Sequence, residues 1–341
     1  MDKGLLERLC KACGISGDEK AVRDIILSEI EGCAEVIKID NMGNILVFKR
    51  GKNRPRKKLL IAAHMDEVGF IITDIREDGT LKFDCVGGIN NEAVFARQVL
   101  IGDKKIPGVV SCRPVHLLKA EEKGKCPDVD SLVIDIGADT REEAEKYVRI
   151  GDSAVFDAVY EDSCGRIISK AVDDRFGCLV LIEMIKNELP FDMHFAFCVQ
   201  EEVGLRGSTC AAYTIAPDSS IVIEATTAAD IPGSENENKV CLVGGGAVVS
   251  FMDRSTIYDR EYYDMAFDIA GRENIPVQTK TKIAGGNDAG AIHRSRSGVR
   301  TIAVSVPCRY IHSCSSLVSH IDAEAVMKLV PMLAERIAAG D

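Results

Sequence analysis

Leu59-Leu60-Ile61-Ala62-Ala63-His64-Met65-Asp66 is the stretch that decides the fold. Five consecutive apolar residues without alternation make a short strand buried on both faces, the kind found in parallel sheets covered by helices. The run then breaks into His64 and Asp66, polar residues that a buried strand does not need. The same grammar recurs three times downstream: Phe195 to Val199 runs into Gln200-Glu201-Glu202, Ile221 to Ile223 runs into Glu224, and Thr301 to Val306 is followed by Pro307-Cys308-Arg309-Tyr310-Ile311-His312. In an open α/β sheet, ligands bind outside the carboxyl ends of the strands, so these residues are expected to converge in one crevice. Asp173-Asp174 adds two carboxylates at the start of a helix opening with Arg175-Phe176-Gly177.

Working outward, Leu5 to Leu27 reads as helical, interrupted by the turn Gly14-Ile15-Ser16-Gly17. Ala34 to Ile39 and Asn44 to Phe48 flank Asp40-Asn41-Met42-Gly43, a hairpin signal. From Gly69 to about Cys164 the pattern changes to short alternating runs separated by turn residues, with one helix over Arg141 to Tyr147. That is all-β punctuation and points to a barrel-like insertion. After Ala171 strand and helix alternate again, with helices over Arg175 to Leu189, Asp259 to Glu273 and Ala323 to Ala338. The expected fold is therefore α/β: a mixed sheet flanked by helices, formed by residues 1–66 and 165–341, with a β-rich barrel-like domain at 67–164 inserted between them.

The 341 residues are 46% hydrophobic and 28% charged, with ten prolines, which is the composition of a folded protein and excludes disorder as the main state. A net charge of -11 opposes binding to polyanions, so nucleic acid is not an expected partner. The opening segment mixes charges into its first apolar stretch and lacks an export signal's apolar core. Val240 to Phe251, the longest nearly uncharged run, is far short of the ~20 residues that span a bilayer. A cytoplasmic protein without membrane contact is expected. Thirteen cysteines are an odd and scattered set that indicates neither a disulfide framework nor a zinc ribbon.

Two histidines and several carboxylates cannot share a cleft without a cation, because the like charges repel and buried carboxylates would protonate instead. Imidazole nitrogen with carboxylate oxygen suits zinc, and cobalt or manganese accept the same set. One histidine and one terminal carboxylate per ion, with a carboxylate shared between them, gives a two-metal hydrolase. His64, Glu224 and Asp173 hold one ion; Glu202, His312 and Asp173 hold the other. Glu201 is left free, a general base beside an acidified water. Taken singly, each residue has a plainer reading: a strand-end His as a hydrogen-bonded structural group, Glu201-Glu202 as a surface pair, Asp173 or Asp174 as a helix cap. Their joint placement favours the metal site.

At these residues the sequence resembles the glutamyl aminopeptidase and tetrahedral aminopeptidase family of dinuclear metallopeptidases, members of which are also labelled endoglucanases. The carriers are Ala63 to Phe70, Ala171 to Gly177, Val199 to Ser208, Gly285 to His293 and Pro307 to Ser313. The resemblance implies His64, Asp173, Glu202, Glu224 and His312 as ligands of two divalent ions, Asp173 bridging them. It implies Glu201 as the acid/base and Asp66 as the carboxylate that orients His64. It further implies an aminopeptidase acting on short peptides, an inserted domain that dimerises the chain, and dimers assembling into a tetrahedral dodecamer. In the family the strand ending here in Glu224 usually ends in Asp, so one extra methylene must fit in the site.

The expected reaction is attack on the peptide carbonyl by a metal-bridging water that Glu201 deprotonates, the proton then passing to the leaving amine. Gly285, Gly286, Asn287 and Asp288 are expected to line the side-chain pocket, the glycines letting backbone approach a ligand. His116, His194, His293 and His320 read as structural or surface residues. Gly244-Gly245-Gly246 lacks the Lys-Ser/Thr of a phosphate loop and reads as a turn. Two other classes compete. A glycoside hydrolase with paired carboxylates suffers from the absence of any Trp and gives the two strand-end histidines no role. An inactive metal-binding scaffold rests on Glu224 alone.

Overall fold

The computed structural model describes residues 1–111, 114–118 and 124–340. Helices α1 (Lys3–Lys11) and α2 (Lys20–Ile30) open the chain, Asp2 capping α1 by accepting from the Leu5 N–H. They lead into the antiparallel hairpin β1 (Val36–Ile39) and β2 (Ile45–Lys49), then β3 (Leu59–His64), every residue of which is buried. Next come β4 (Gly69–Ile75), β5 (Leu81–Val86), a short α3 (Asn91–Val94), β6 (Gln98–Ile101), β7 (Ile106–Ser111), β8 (Val133–Asp135), a short α4 (Arg141–Ala144) and β9 (Ser153–Phe156). These six strands close a barrel in the order β4-β5-β8-β7-β6-β9 around a core of its own, in which Phe70 meets Phe83 and Phe156 edge to face.

Beyond the barrel the chain forms β10 (Glu161–Ser163), β11 (Arg166–Ser169), α5 (Val172–Lys186), β12 (Met193–Cys198), α6 (Arg206–Ile215) and β13 (Ser219–Thr227). It ends with β14 (Ala247–Val249), α7 (Arg260–Glu273), β15 (Val277–Thr279), α8 (Ala289–Ile292), β16 (Arg300–Cys308), β17 (Ser316–Ser319) and α9 (His320–Ala339). The main sheet has the order β1-β2-β12-β3-β13-β16-β14-β15, and its central four strands β12, β3, β13 and β16 run parallel. A small sheet, β10-β11-β17, flanks it. Helix α5 is buried on nearly all sides, which is why its sequence is apolar around its whole circumference. The central strands bear apolar side chains on both faces because helices cover both.

Several sequence expectations need correction. The barrel segment carries α3 and two 3-10 turns besides α4, and α4 stops at Ala144 instead of reaching Tyr147. Helices this short are fixed by packing, not by periodicity. Helix α5 starts at Val172, although Asp173 and Asp174 have non-helical backbone angles. Glu224 lies inside β13 and not beyond its end, because β13 pairs with β16 as far as Thr227 and Cys308. The Gly244-Gly246 segment is the expected turn: the Asp322 carboxylate accepts from both N–H groups, and a Cβ on Gly246 would fall 2.1 Å from the Pro276 carbonyl. All twelve described cysteines are free.

Candidate metal centre

The four parallel strands deliver their polar residues to one edge, as the sheet rule requires. His64 is the last residue of β3, Glu201 and Glu202 follow β12, Glu224 sits in β13, and His312 follows β16. Asp173 at the start of α5 lies between the two histidines. Its Oδ1 is 3.3 Å from His64 Nε2 and its Oδ2 is 3.4 Å from His312 Nε2. Glu224 Oε2 stands 3.6 Å from His64 Nε2, and Glu202 Oε2 stands 3.2 Å from His312 Nε2. His64 is sealed, at 1% side-chain exposure, whereas His312 at 34% faces the opening.

The other ring nitrogens fix the tautomers. His64 Nδ1 is 3.1 Å from the main-chain oxygen of Asp66, and His312 Nδ1 is 2.9 Å from that of Gly88. A carbonyl only accepts, so each Nδ1 carries the hydrogen and each Nε2 presents a lone pair. Those lone pairs face carboxylate oxygens at 3.2–3.6 Å, acceptor against acceptor. Such an arrangement repels unless a cation lies between the groups. Asp173 Oδ1 and Glu224 Oε1 are buried and have no hydrogen-bond donor, which agrees with oxygen atoms kept for a metal. His64, Asp173 and Glu202, and equally His64, Asp174 and Glu224, bring ligand atoms within 4.8 Å of one another. The residues therefore fit divalent ions.

Without a metal, protons take its place. Burial works against the charged form of His64, yet the carboxylates of Asp173, Asp66 and Glu224 hold its pKa well above the usual imidazole range. His312 is treated likewise and reaches about 9. Burial opposes the charge on Asp173 too, but in this metal-free state the protonated rings of His312 and His64 facing it keep it below the ordinary carboxylate value. Burial and neighbouring carboxylates raise Glu202 to about 7 and Glu224 to about 8. Glu201 is pushed well above the usual range, first by burial and then by Glu224, Asp288 and Glu202.

A family model described as M42 glutamyl aminopeptidase matches residues 43–329, a span containing every polar residue at the sheet edge. The chain belongs to this family. Its members are metal-dependent aminopeptidases. The lysyl aminopeptidase of Pyrococcus furiosus is 31% identical over 346 residues, covering 99% of this chain and 98% of that one. Among solved structures, a TET aminopeptidase from the marine sediment archaeon Thaumarchaeota archaeon SCGC AB-539-E09 superposes with a TM-score of 0.94 at 33% identity, over 99% of this chain and 96% of that one. The TET1 peptidase of Pyrococcus horikoshii, which can assemble into a tetrahedron or a large octahedral shell, gives 0.86 at 35% identity over 97% and 98%.

In this M42 chain the Asp66 carboxylate lies beside the His64 ring, its Oδ1 3.4 Å from Nδ1, while the Asp66 carbonyl oxygen is 3.1 Å from the same nitrogen. The same carboxylate also holds the loop of the two glutamates. Oδ1 accepts from Glu201 N–H at 3.0 Å, and Oδ2 accepts from Glu202 N–H at 3.1 Å and from the Ser16 hydroxyl at 2.6 Å. Asp174, within reach of the centre, is also structural: it accepts from the main-chain N–H of His64 at 3.3 Å and of Gly177 at 2.9 Å.

Gly285, Gly286 and Asn287 line a cleft of about 480 Å3 that also touches Glu201 and Glu224. Asp288 does not line it; this carboxyl is fully buried and is raised to about 6 by burial. Of the remaining histidines, His293 turns Nδ1 to the Ala289 carbonyl at 2.8 Å, His320 meets Asp162 at 2.7 Å, His194 lies beside the Phe48 ring, and His116 is exposed. None joins the centre.

Sequence reasoning missed the residues that brace the site. Arg175, fully buried, donates to the carbonyls of Leu9, Ala12 and Gly14 and to Glu67, and Lys170 grips both oxygens of Glu67 at 2.7 Å. This network pins the turn carrying Ser16 to the start of α5. Glu67 and Arg175 stand inside the quoted motif blocks, so adjacency to His64 and Asp173 was the available signal.

Proposed function

We propose that this protein is a dinuclear metallo-aminopeptidase that removes N-terminal residues from short peptides. The single observation carrying this reading is the pair of histidine Nε2 lone pairs that face the two oxygens of one shared carboxylate, Asp173. In it, His64, Asp173 and Glu224 hold one divalent ion and His312, Asp173 and Glu202 the other. Zinc suits this donor set best, and cobalt or manganese are accepted by it. Bound there, the ions supply Lewis acidity that polarises the peptide carbonyl and acidifies water.

The chain's own part falls to Glu201. Its carboxylate oxygen takes a proton from water, and the same oxygen then delivers that proton to the nitrogen of the departing amine. The Asp66 carboxylate fixes the Glu201 main chain, so the base is positioned before substrate arrives. The extra methylene of Glu224 is accommodated within β13, with Oε2 still directed at His64. A two-carboxylate glycosidase gives the facing histidines nothing to do.

In the same reading, residues 1–66 and 165–341 form the catalytic domain, and 67–164 form an inserted domain through which the chain dimerises and assembles into a closed particle in the cytoplasm. Support comes from the separate barrel core and from the TET neighbours. Among the described residues no helix is long and apolar enough to cross a membrane. The test is hydrolysis of aminoacyl p-nitroanilides by chelated protein resupplied with zinc, cobalt or manganese, beside Glu201→Gln. Cleavage restored by metal and lost in the variant supports the reading. Two bound ions with no cleavage of any substrate would sink it.

A further inference from the structure

The cleft beside Glu201 contains a single Lys or Arg among its described lining residues, Lys280. This residue follows β15, and its N–H donates to the Val249 carbonyl. The residue is 7% exposed and, among the described residues, its Nζ has one partner, the carbonyl of Ala284 at 2.8 Å, at the start of the Gly285-Gly286 loop. No carboxylate of the described residues lies within 4.0 Å of it. Asp253 is nearby, but its Oδ1 is taken by the Ser255 and Thr256 N–H groups and its Oδ2 by the Tyr258 hydroxyl at 2.5 Å. The other carboxylate acting on Lys280 is Glu224, committed to the metal centre, and the buried Cys241 thiol acts on it as well.

An ammonium group with three donors, one of them satisfied, and no carboxylate in contact is costly to keep buried. Burial accordingly presses its pKa downward. A carboxylate brought in by a ligand would supply both the missing charge and the missing acceptors. Membership in the family leaves the side-chain preference open, since the relative from Pyrococcus furiosus is a lysyl enzyme. Resting on the aminopeptidase reading, we propose that Lys280 is the specificity-determining residue of the side-chain pocket. It selects peptides with an N-terminal glutamate or aspartate and rejects those beginning with Lys or Arg. The same ammonium that binds a carboxylate repels a second cation, so selection and rejection come from one group.

The test compares kcat/KM of the metal-loaded protein for glutamyl, glutaminyl, lysyl and leucyl p-nitroanilides. Gln matches Glu in shape and differs in charge, so the Glu/Gln ratio reports Lys280 directly. A ratio of about tenfold or more is expected for wild type, falling to about one in Lys280→Met and retained in Lys280→Arg, with Lys280→Glu moving preference toward the lysyl substrate. Inhibition by free L-glutamate against L-glutamine should follow the same order. A wild-type ratio near one, with leucyl substrate cleaved in a metal-dependent way, overturns the Lys280 assignment and leaves the aminopeptidase standing. If no substrate is cleaved, the aminopeptidase reading falls. Calorimetric titration of wild type with L-glutamate and L-glutamine then decides on Lys280, and equal affinity overturns it.

Discussion

Replacing Asp66 by Asn tests how the centre is preorganised. The Asp66 carboxylate accepts three hydrogen bonds on two oxygens: Glu201 N–H on one, Glu202 N–H and the Ser16 hydroxyl on the other. Asparagine keeps the shape but has one accepting oxygen. Placed toward Glu202 and Ser16, that oxygen leaves its NH2 against the Glu201 N–H, donor facing donor. A hydrogen bond to a charged acceptor contributes about 1.5–3 kcal/mol, and an orphaned buried donor costs about 1–3 kcal/mol. The loss at this fully buried position should total about 3 kcal/mol. With an unfolding entropy of about 2.1 cal/mol/K per residue, 341 residues convert this to a fall in Tm of about 4 °C. Because the residue that moves carries the base, turnover should fall with it, and metal affinity should drop about 10- to 100-fold. Differential scanning fluorimetry of the chelated protein reads the first effect, and zinc competition against a chromophoric chelator reads the second. Metal affinity within about threefold of wild type and an unchanged Tm would refute this account of Asp66.

Four further outcomes follow from the same geometry. Gly177→Ala places a methyl 2.3 and 2.5 Å from the oxygens of Asp174, which holds the His64 main chain, so a loss of about 1–3 kcal/mol together with reduced metal content is expected from melting curves and metal analysis. Glu201→Gln should lower kcat by about 10²- to 10⁴-fold while metal content stays the same, since the proposed mechanism makes that side chain the base and not a ligand. Removing a metal present at about 100 times its Kd should cost about 2.7 kcal/mol, seen as a concentration-dependent Tm. In the metal-free protein, Glu202 at about 7, Glu224 at about 8 and His312 at about 9 all lie above their unfolded values. Protonation of each favours the folded state, so the contribution of these three groups to metal-free stability should fall as pH rises from about 5 to 9, whereas Asp173 and Asp66, held low, lose their contribution only in stronger acid; the metal-induced gain in Tm should widen over the range from about 5 to 9.

The strands that carry the candidate ligands were legible because a buried parallel strand is a short apolar run, and a His or Glu at its end has no structural excuse. The same burial hid where β13 stops. With both faces covered there is no alternation to read, and the pairing of β13 with β16 carries it past Glu224. The barrel was legible as many short strands, yet its closure was not. Closure rests on β4 meeting β9 across some eighty residues, a contact that no local pattern encodes. Lys280 was opaque for another reason. A lysine after a strand is an ordinary surface residue in sequence, and only its burial shows that it is not.

The centre draws on segments that no strand-end rule brings together, and this explains why the inserted barrel begins where it does. The barrel chain leaves β3 directly after His64 to Val68 and returns past β5 so that the Gly88 carbonyl meets His312 Nδ1 at 2.9 Å. That contact fixes the lone pair of the exposed histidine toward Asp173. Gly87 must approach closely for it: its backbone has φ +86°, and a Cβ there would lie 2.8 Å from Val68 and 3.2 Å from the Cβ of Glu202. From the other side, Ser16 reaches Asp66, and Arg175 with Lys170 locks that turn to α5 through Glu67. One histidine is thus oriented from within the sheet and the other by the insertion. Separating barrel from sheet would leave His64 as it is and release His312, and with it the half of the site that opens to substrate.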